Sequence, residues 1–272
     1  MRGATRVAGA MATPLVRVGR TLDRTRGLTL VGWHRIGDAD DGLTTTASDF
    51  RRHLDVLEDW GARVLPLREA YDLLAADALP DRAVALTFDD GYASVLEQAW
   101  PVLRERGLPA TLFAVSGCLA PGSRFPWDAR TDDAELSRLM TAPQLVRAAA
   151  EGLDVGSHTV SHRWLPGLAM DEVRTEVRRS RADLEDLLGR EIRSFAYPMG
   201  GWNGPIRDAV EAAGYDIAIT TERGINRPTH DPASLRRAFA FDDPRDVRRQ
   251  LDGGFTWMRA IERHRVRREP TW

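Results

Sequence analysis

In the stretch Ala83-Val-Ala-Leu-Thr-Phe-Asp-Asp-Gly-Tyr92 an apolar run ends in two adjacent aspartates. The run Ala83 to Phe88 is typical of a buried strand. Asp89 and Asp90 at its end are costly, since like charges resist ionising together and both lose water. A metal ion or a proton-transfer role would offset that cost. An acidic turn closed by Gly91 is the alternative, because Asp-Gly is a common turn signal.

Strand-like and helix-like segments alternate along most of the chain. This alternation predicts a parallel sheet with helices outside it, either a distorted barrel or an open doubly wound sheet. In both, ligands collect at the C-terminal strand ends, where three motifs fall: residues 89–90, 158–162 and 197–198. We therefore predict one site there. The predicted strands are 28–33, 62–65, 83–88, 110–114, 153–155, 192–196, 217–220 and 235–241; the predicted helices are 48–60, 67–76, 93–106, 143–151, 170–188, 205–213 and one starting at 243–244.

Composition narrows the class of protein. The chain has 272 residues, of which 43% are hydrophobic and 29% charged, as in an ordinary folded protein. Its net charge of -2 provides no global field for nucleic acid or an anionic membrane, so we expect no nucleic-acid partner. All 38 basic residues are Arg, and Cys118 is the only cysteine, which excludes an intrachain disulfide.

The chain ends differ from the middle. Residues 1–27 are predicted to form a poorly ordered, Arg-rich leader, residues 28–254 a catalytic domain, and residues 255–272 a basic helical tail. Ala10-Met-Ala12 has the form of a cleavage site, but the apolar stretch around it is short and contains Pro14, so it makes a poor secretory signal. This favours a cytoplasmic location over export. No stretch approaches the roughly 20 apolar residues that span a bilayer.

The second motif, His158-Thr-Val-Ser-His162, places two imidazoles four residues apart. On a helical turn this spacing puts both on one face, where they could bind a transition metal. A pair of surface or core histidines is the alternative. Because Thr159 stands where a zinc protease of the HExxH type has Glu, the motif lacks that general base.

Two neutral histidines and one carboxylate would hold a divalent ion and leave positions open for water and substrate. We expect Zn²⁺, with Co²⁺ or Ni²⁺ as alternatives. One of Asp89 and Asp90 can be the ligand while the other stays free as a base. Water made acidic by such an ion suits the hydrolysis of an amide or ester.

Three motifs together resemble the polysaccharide deacetylases, the NodB-homology carbohydrate esterases of family 4. These are Thr87 to Tyr92, His158 to His162, and Phe195-Ala-Tyr-Pro-Met-Gly-Gly-Trp-Asn203. The resemblance extends over residues 28–241. Trp33-His-Arg35 resembles the Tyr-His-Arg stretch of the poly-N-acetylglucosamine deacetylase branch. The resemblance implies a distorted (β/α)7 barrel and an N-acetylated glycan as substrate; it does not indicate an oligomeric state.

The resemblance also implies roles for single residues. Asp89 corresponds to the catalytic base, and Asp90, His158 and His162 to the metal-binding triad. The backbone N–H of Met199 corresponds to the donor that stabilises the oxyanion. The implied reaction is metal-dependent hydrolysis of an N-acetyl group, with release of acetate.

Two features depart from the family pattern. Ala196 stands where many members have an Arg that orients the base; Arg237 could approach the base from another direction, or be an ordinary surface residue. The late Leu-His motif that supplies the general acid is absent. We therefore expect His34, at the end of the first strand, to act as the acid or to position the substrate. A packed structural histidine is the alternative.

Three tryptophans are predicted to lie in loops near the site. Trp127, Trp164 and Trp202 could stack on sugar rings, although loop tryptophans are as often local core. A catalytically silent glycan-binding relative, or a hydrolase of another non-peptide N-acyl bond, are the alternatives to the deacetylase.

Overall fold

The computed structural model describes residues 27–130, 133–240, 243–254 and 256–258. Within these residues the chain forms ten strands and seven α-helices. The strands are β1 (Thr29–Trp33), β2 (Arg35–Ile36), β3 (Thr44–Thr45), β4 (Arg63–Val64), β5 (Ala83–Phe88), β6 (Ala110–Ala114), β7 (Asp154–Ser157), β8 (Ser194–Ala196), β9 (Ile217–Ile219) and β10 (Ala238–Phe239). The helices are α1 (Ala47–Trp60), α2 (Leu67–Ala75), α3 (Trp100–Glu105), α4 (Ala142–Ala150), α5 (Met170–Leu188), α6 (Gly204–Ala212) and α7 (Pro244–Leu251).

The main sheet is parallel throughout and contains eight strands: seven follow the order β10-β1-β5-β6-β7-β8-β9, and the short β4 pairs with β5. Leu235 joins its two ends. Its N–H donates to Ala218 O and its carbonyl accepts from Thr220 N, both at 2.8 Å, whereas β10, three residues later, pairs with β1. The predicted distorted (β/α)7 barrel is confirmed.

The sheet curls around a small apolar core. Leu30 of β1 and Ile219 of β9 come from strands five places apart in the strand order, yet belong to one buried cluster with Ala85 and Phe113. The alternate residues of β5 and the outer helices form the larger cluster. Because side chains alternate along a strand, Thr87 and Asp89 continue the inner face that Ala85 occupies. The pleat thus directs Asp89 into the barrel mouth.

Most predicted elements agree with the observed ones to within two residues, but the predicted strand 235–241 is shorter, Ala238–Phe239. Leu235 pairs instead with the β9 segment. The start of α1 and the predicted helix 93–106 also differ, for clear reasons. Thr46, and not Ser48, caps α1, since its hydroxyl accepts the Asp49 N–H at 3.0 Å. The predicted helix 93–106 is a π-helical turn, Val95–Ala99, followed by α3. Pro101 lacks the N–H that an α-helix would require there, so the hydrogen-bond pattern changes.

The predicted chain ends lie mostly outside the described residues. This holds for the leader up to residue 26, for residue 241 of the last predicted strand, and for the tail, of which only the turn Thr256–Met258 is described. The boundaries of the three predicted regions stay predictions. In the part of the chain that is described, no helix combines the length and apolar content needed to cross a bilayer.

Candidate active site

A cleft of about 230 Å³ opens at the C-terminal ends of the parallel strands. All six residues predicted from the sequence line it: His34, Asp89, Asp90, His158, His162 and Met199. Leu43, Trp127, Thr221 and Phe239 complete its lining. The structure therefore brings together side chains from segments that are more than 150 residues apart, as expected for the C-terminal end of such a barrel.

The two aspartates reach the cleft by different backbone routes. Asp89 is still on the strand path, and its N–H donates to Trp33 O at 3.0 Å. Asp90 has a left-handed φ of 72°, and Gly91 follows with 84°. A non-glycine residue in this region is strained, and such strain is frequent at functional sites. The turn brings the Asp90 carboxylate into the same cleft, although successive side chains on a strand would point to opposite faces.

Arg237 is the partner of Asp89. It is fully buried, and its Nη1 and Nη2 donate to the two carboxylate oxygens at 2.6 and 2.5 Å. Nη1 also donates to Thr87 Oγ1 at 3.2 Å. Of the two sequence interpretations of Arg237, the surface residue is excluded. Such a two-pronged contact fixes both the position and the orientation of the carboxylate.

The Arg237 guanidinium also sets the charge state of Asp89. Burial by itself would raise the pKa of this carboxyl, but the positive charges of Arg237 and of His158 outweigh burial and hold the pKa below its usual value. Asp89 is therefore ionised at neutral pH. Its Oδ2 lies 4.0 Å from His158 Nε2, so the carboxylate adjoins the second cluster of the cleft.

Asp90, His158 and His162 form that second cluster, and all three are buried. One ligand atom from each lies within 4.8 Å of the others. Asp90 Oδ1 is 3.5 Å from His158 Nε2 and 3.2 Å from His162 Nε2. A carboxylate oxygen and two imidazole nitrogens are a donor set suited to Zn²⁺ and similar divalent ions.

The loop that carries the two histidines differs from the helical turn expected from their spacing. Residues 158–162 do not form a helical turn; Thr159 and His162 have left-handed φ values of 69° and 55°. Val160 N and Ser161 N donate to the Glu176 carboxylate at 2.9 and 3.0 Å, which fixes the loop. The HxxxH spacing thus brings the two rings together through a tight loop, with centroids 4.7 Å apart.

Polar atoms in the cluster fit a bound cation. His158 Nδ1 lies 2.8 Å from Ala196 O, and in the neutral imidazole a proton on Nδ1 leaves Nε2 with a lone pair that faces Asp90. Asp90 Oδ1 is buried without a hydrogen bond within the described part of the chain. Buried polar atoms rarely lack a hydrogen-bond partner. Burial would raise the pKa of Asp90, but His158 and His162 hold it well below its usual range, so it is an anion ready to bind a metal.

His34 occupies the cleft beside Asp89. It is half-buried and stacks on Phe239, with ring centroids 4.3 Å apart and an interplanar angle of 19°. Burial lowers its pKa, although Asp90 and Asp89 act in the opposite direction. Gly32 makes this stack possible, because a Cβ there would lie 2.9 Å from the Phe239 ring. No local sequence pattern indicates the contact between His34 and Phe239.

Met199 lies in the short turn Pro198–Gly200 with φ 55° and ψ 14°. Its side chain is half-buried at the cleft, and the hydrogen bonds found among the described residues do not use its backbone N–H. A spare backbone N–H beside a reactive centre is what an oxyanion donor requires, and backbone strain is frequent at such sites. The role of Met199 stays a prediction, as do those of the other five residues.

The three tryptophans selected from the sequence differ in whether they line the cleft. Trp127 lines the cleft and packs on His162, with ring centroids 4.9 Å apart. Among the described lining residues neither of the other two occurs. Trp164 packs against Gly201, and Trp202 stacks on Tyr197 at 6.2 Å. Only Trp127 is therefore placed to contact a ligand in the cleft.

The comparison with known families agrees with this site. Residues 76–218 match the polysaccharide deacetylase family, and the chain belongs to that family. The match contains both the Asp89–Asp90 pair and the two histidines, whereas His34 and Arg237 lie on either side of it.

Individual relatives are similar over most of the chain. YxkH of Bacillus subtilis, which is named after this family, is 28% identical over 198 residues, or 72% of this chain and 65% of its own. The poly-beta-1,6-N-acetyl-D-glucosamine N-deacetylase of Escherichia coli K12 is 25% identical over 236 residues, covering 73% and 34%. The chain thus spans less than two thirds of the length of either relative. The solved structure of IcaB from Ammonifex degensii superimposes with a TM-score of 0.73 at 28% identity, covering 85% and 97%.

Proposed function

We propose that the chain is a metal-dependent hydrolase that removes N-acetyl groups from an N-acetylated sugar or polysaccharide and releases acetate. The observation that carries this proposal is the convergence of two groups in one cleft: the Asp90, His158 and His162 donor atoms within 4.8 Å, and the Asp89 carboxylate bound by Arg237. The similarity to a poly-N-acetylglucosamine N-deacetylase supports the same substrate class.

Asp90, His158 and His162 would hold the ion, for which we propose Zn²⁺ first, with Co²⁺ or Ni²⁺ as alternatives. When bound, such an ion supplies Lewis-acid chemistry and makes water acidic enough to lose a proton near neutral pH. The Ala196 carbonyl orients His158, because it accepts the hydrogen bond from the ring nitrogen that does not face the cluster.

The remaining steps fall to the chain's own groups. Asp89 accepts a proton from the attacking water, and Arg237 keeps the carboxylate ionised and aimed at that proton. The Met199 N–H donates a hydrogen bond to the oxygen of the acetyl group as negative charge develops there. His34, in its protonated form, then donates a proton to the departing sugar amine. Leu43, Trp127 and Phe239 provide apolar walls that exclude bulk water.

The pairing of Asp89 with Arg237 favours a working enzyme over a silent glycan-binding relative. Where many members of the family use an arginine near position 196, this chain supplies a guanidinium from position 237. Asp89 therefore has an orienting guanidinium, although position 196 lacks the arginine whose absence suggested a silent site.

The proposal is tested by comparing substrates. Acetate release is measured from N-acetylglucosamine oligomers, from an N-acetylated peptide and from an O-acetylated sugar, each with Asp89→Asn as control. Release from the oligomers, lost in Asp89→Asn, supports an N-deacetylase of sugars. Release from the peptide alone would contradict the proposed substrate class, and equal release by Asp89→Asn would contradict the role of the base.

A further inference from the structure

A buried charge network lies beside the cleft and includes none of the predicted catalytic groups. Its centre is Arg35 on β2, which is 1% exposed. Arg35 Nη1 donates to Asp128 Oδ1 at 2.7 Å, Nε donates to Thr44 Oγ1 at 2.9 Å, and Nη2 pairs with Asp41. Because each guanidinium nitrogen has an acceptor, the orientation of the group is fixed, and so are the two loops that carry the carboxylates.

Tyr92 extends the network towards the cleft. Its hydroxyl donates to Asp128 Oδ2 at 3.0 Å and accepts from Trp127 Nε1 at 3.1 Å. The Arg35 guanidinium lies 5.1 Å from the centre of the Tyr92 ring. Tyr92 and Asp128 are 0% and 1% exposed, so water competes little for these bonds. Three hydrogen bonds thus connect Arg35 to the indole of Trp127.

The network sets two walls of the cleft. Trp127 stacks on Phe125, with ring centroids 4.5 Å apart and an interplanar angle of 10°, and this stack packs on His162. Asp41 Oδ1 also accepts the N–H of Leu43 at 2.9 Å, and Leu43 is a second lining residue of the cleft. One guanidinium therefore positions two segments of the lining.

We propose that Arg35 is a positioning residue that acts through Asp128 and Tyr92 to hold Trp127 as a platform for a sugar ring of an N-acetylated glycan. This inference rests on the proposed function, because it assigns part of the substrate to this wall. A preorganised indole offers a large apolar face, and it loses little conformational entropy when a ring packs on it. The hydrogen bond to Tyr92 occupies the indole N–H, so the ring would contact the sugar through its face.

The test uses Tyr92→Phe, which deletes both hydroxyl hydrogen bonds and keeps the ring. For N-acetylglucosamine oligomers we expect KM to rise about three- to tenfold, which corresponds to the loss of one such interaction, with little change in kcat. For vinyl acetate, an activated ester without a sugar ring, kcat/KM should be unchanged. Trp127→Ala should act in the same direction and more strongly.

The matched control is Tyr215→Phe. Tyr215 is also buried, and its hydroxyl donates to Val177 O at 3.1 Å, away from the described cleft lining. This variant should lose thermal stability without a change in KM. If the only effect of Tyr92→Phe were a loss of stability, its kinetic constants for both substrates would match those of Tyr215→Phe.

The outcomes separate the inference from the proposed function. Unchanged KM for the oligomers in Tyr92→Phe and Trp127→Ala, or equal losses on oligomer and ester, would overturn the inference alone. Oligomer binding without acetate release would overturn the proposed function, and the Kd of Tyr92→Phe, measured by calorimetry on the metal-loaded chain, would then decide the inference. If the oligomers neither bind nor react, both are wrong.

Discussion

Arg237 binds both carboxylate oxygens of Asp89, although the two residues are 148 positions apart in the chain. The pair crosses the inner face of the barrel from the segment preceding β10 to the end of β5. The contact joins the segment next to β10, the last strand in the chain, to the acidic motif after β5. The proposed base is therefore oriented by a residue outside the region that matches the family, 76–218.

Replacing Arg237 should impair both folding and chemistry. Arg237→Met leaves the Asp89 charge buried without its guanidinium partner, so we expect a loss of about 3–5 kcal/mol in the free energy of unfolding. Because burial then raises the pKa of Asp89 without opposition from the guanidinium, the acid limb of kcat/KM should move to higher pH. Denaturant titration and a pH–rate profile measure the two effects.

Two variants control this prediction. Arg174→Met removes an arginine that is half exposed and pairs with Asp171 on the surface of α5, and it should leave both measurements unchanged. Arg237→Lys keeps the charge but loses the two-pronged contact, so the limb should move less than in Arg237→Met. An acid limb at the same pH in Arg237→Met would show that this guanidinium does not control the base.

His34→Gln tests the proposed acid. Glutamine can form hydrogen bonds but cannot donate a proton to the amine, so we expect kcat to fall by about 10²-fold or more. His230→Gln, in a loop that does not belong to the described cleft lining, serves as the matched control. Turnover near the unsubstituted level in His34→Gln, with the fold intact by circular dichroism, would leave His34 as a packing residue.

Loss of a cluster histidine should abolish tight metal binding. His162→Ala removes one of three donors, so Zn²⁺ affinity should fall by more than the roughly 10–100-fold that loss of an outer partner costs.

Zn²⁺ affinity should also fall as pH decreases. Burial lowers the pKa of His158, but Asp89 and Asp90 raise it by more, so a metal must displace the proton of this ring. Competition with a chromogenic chelator between pH 6 and pH 8 measures both. Affinity independent of pH would contradict this donor set.

Met199→Gly separates backbone from side chain. Glycine adopts the left-handed conformation without strain, so we expect stability to rise by roughly 0.5–1 kcal/mol after the entropy of the unfolded glycine is counted. The backbone N–H remains, so kcat should stay within about twofold. Thermal unfolding and acetate release check the two parts. A large fall in kcat would mean that the Met199 side chain, and not its N–H, serves the reaction.

Local sequence patterns predicted much of the fold and the set of residues at the cleft. The strand that ends in Asp89 and Asp90, the alternation of elements and the histidine spacing are all short-range signals, and the barrel brings strand ends together by its topology. The conformation of residues 158–162 was predicted wrongly, because the same spacing arises from a loop with two left-handed residues.

Long-range pairings were not predictable in the same way. Arg35 with Asp128 and His34 with Phe239 connect positions 93 and 205 residues apart, and no local pattern marks either partner. The Arg237 contact was one of two open interpretations, since an arginine at a strand end is more often on the surface. Such pairs depend on which side chains the closed sheet brings face to face.

Metal dependence is tested by acetate release from N-acetylglucosamine oligomers, measured with metal-stripped and with Zn²⁺-restored protein. We expect no release without metal, recovery at one Zn²⁺ per chain, and no release by Asp89→Asn despite unchanged Zn²⁺ binding. Release by the stripped protein equal to that of the restored one would contradict a metal-dependent deacetylase. So would the absence of release from a chain that binds one Zn²⁺ and the oligomer together.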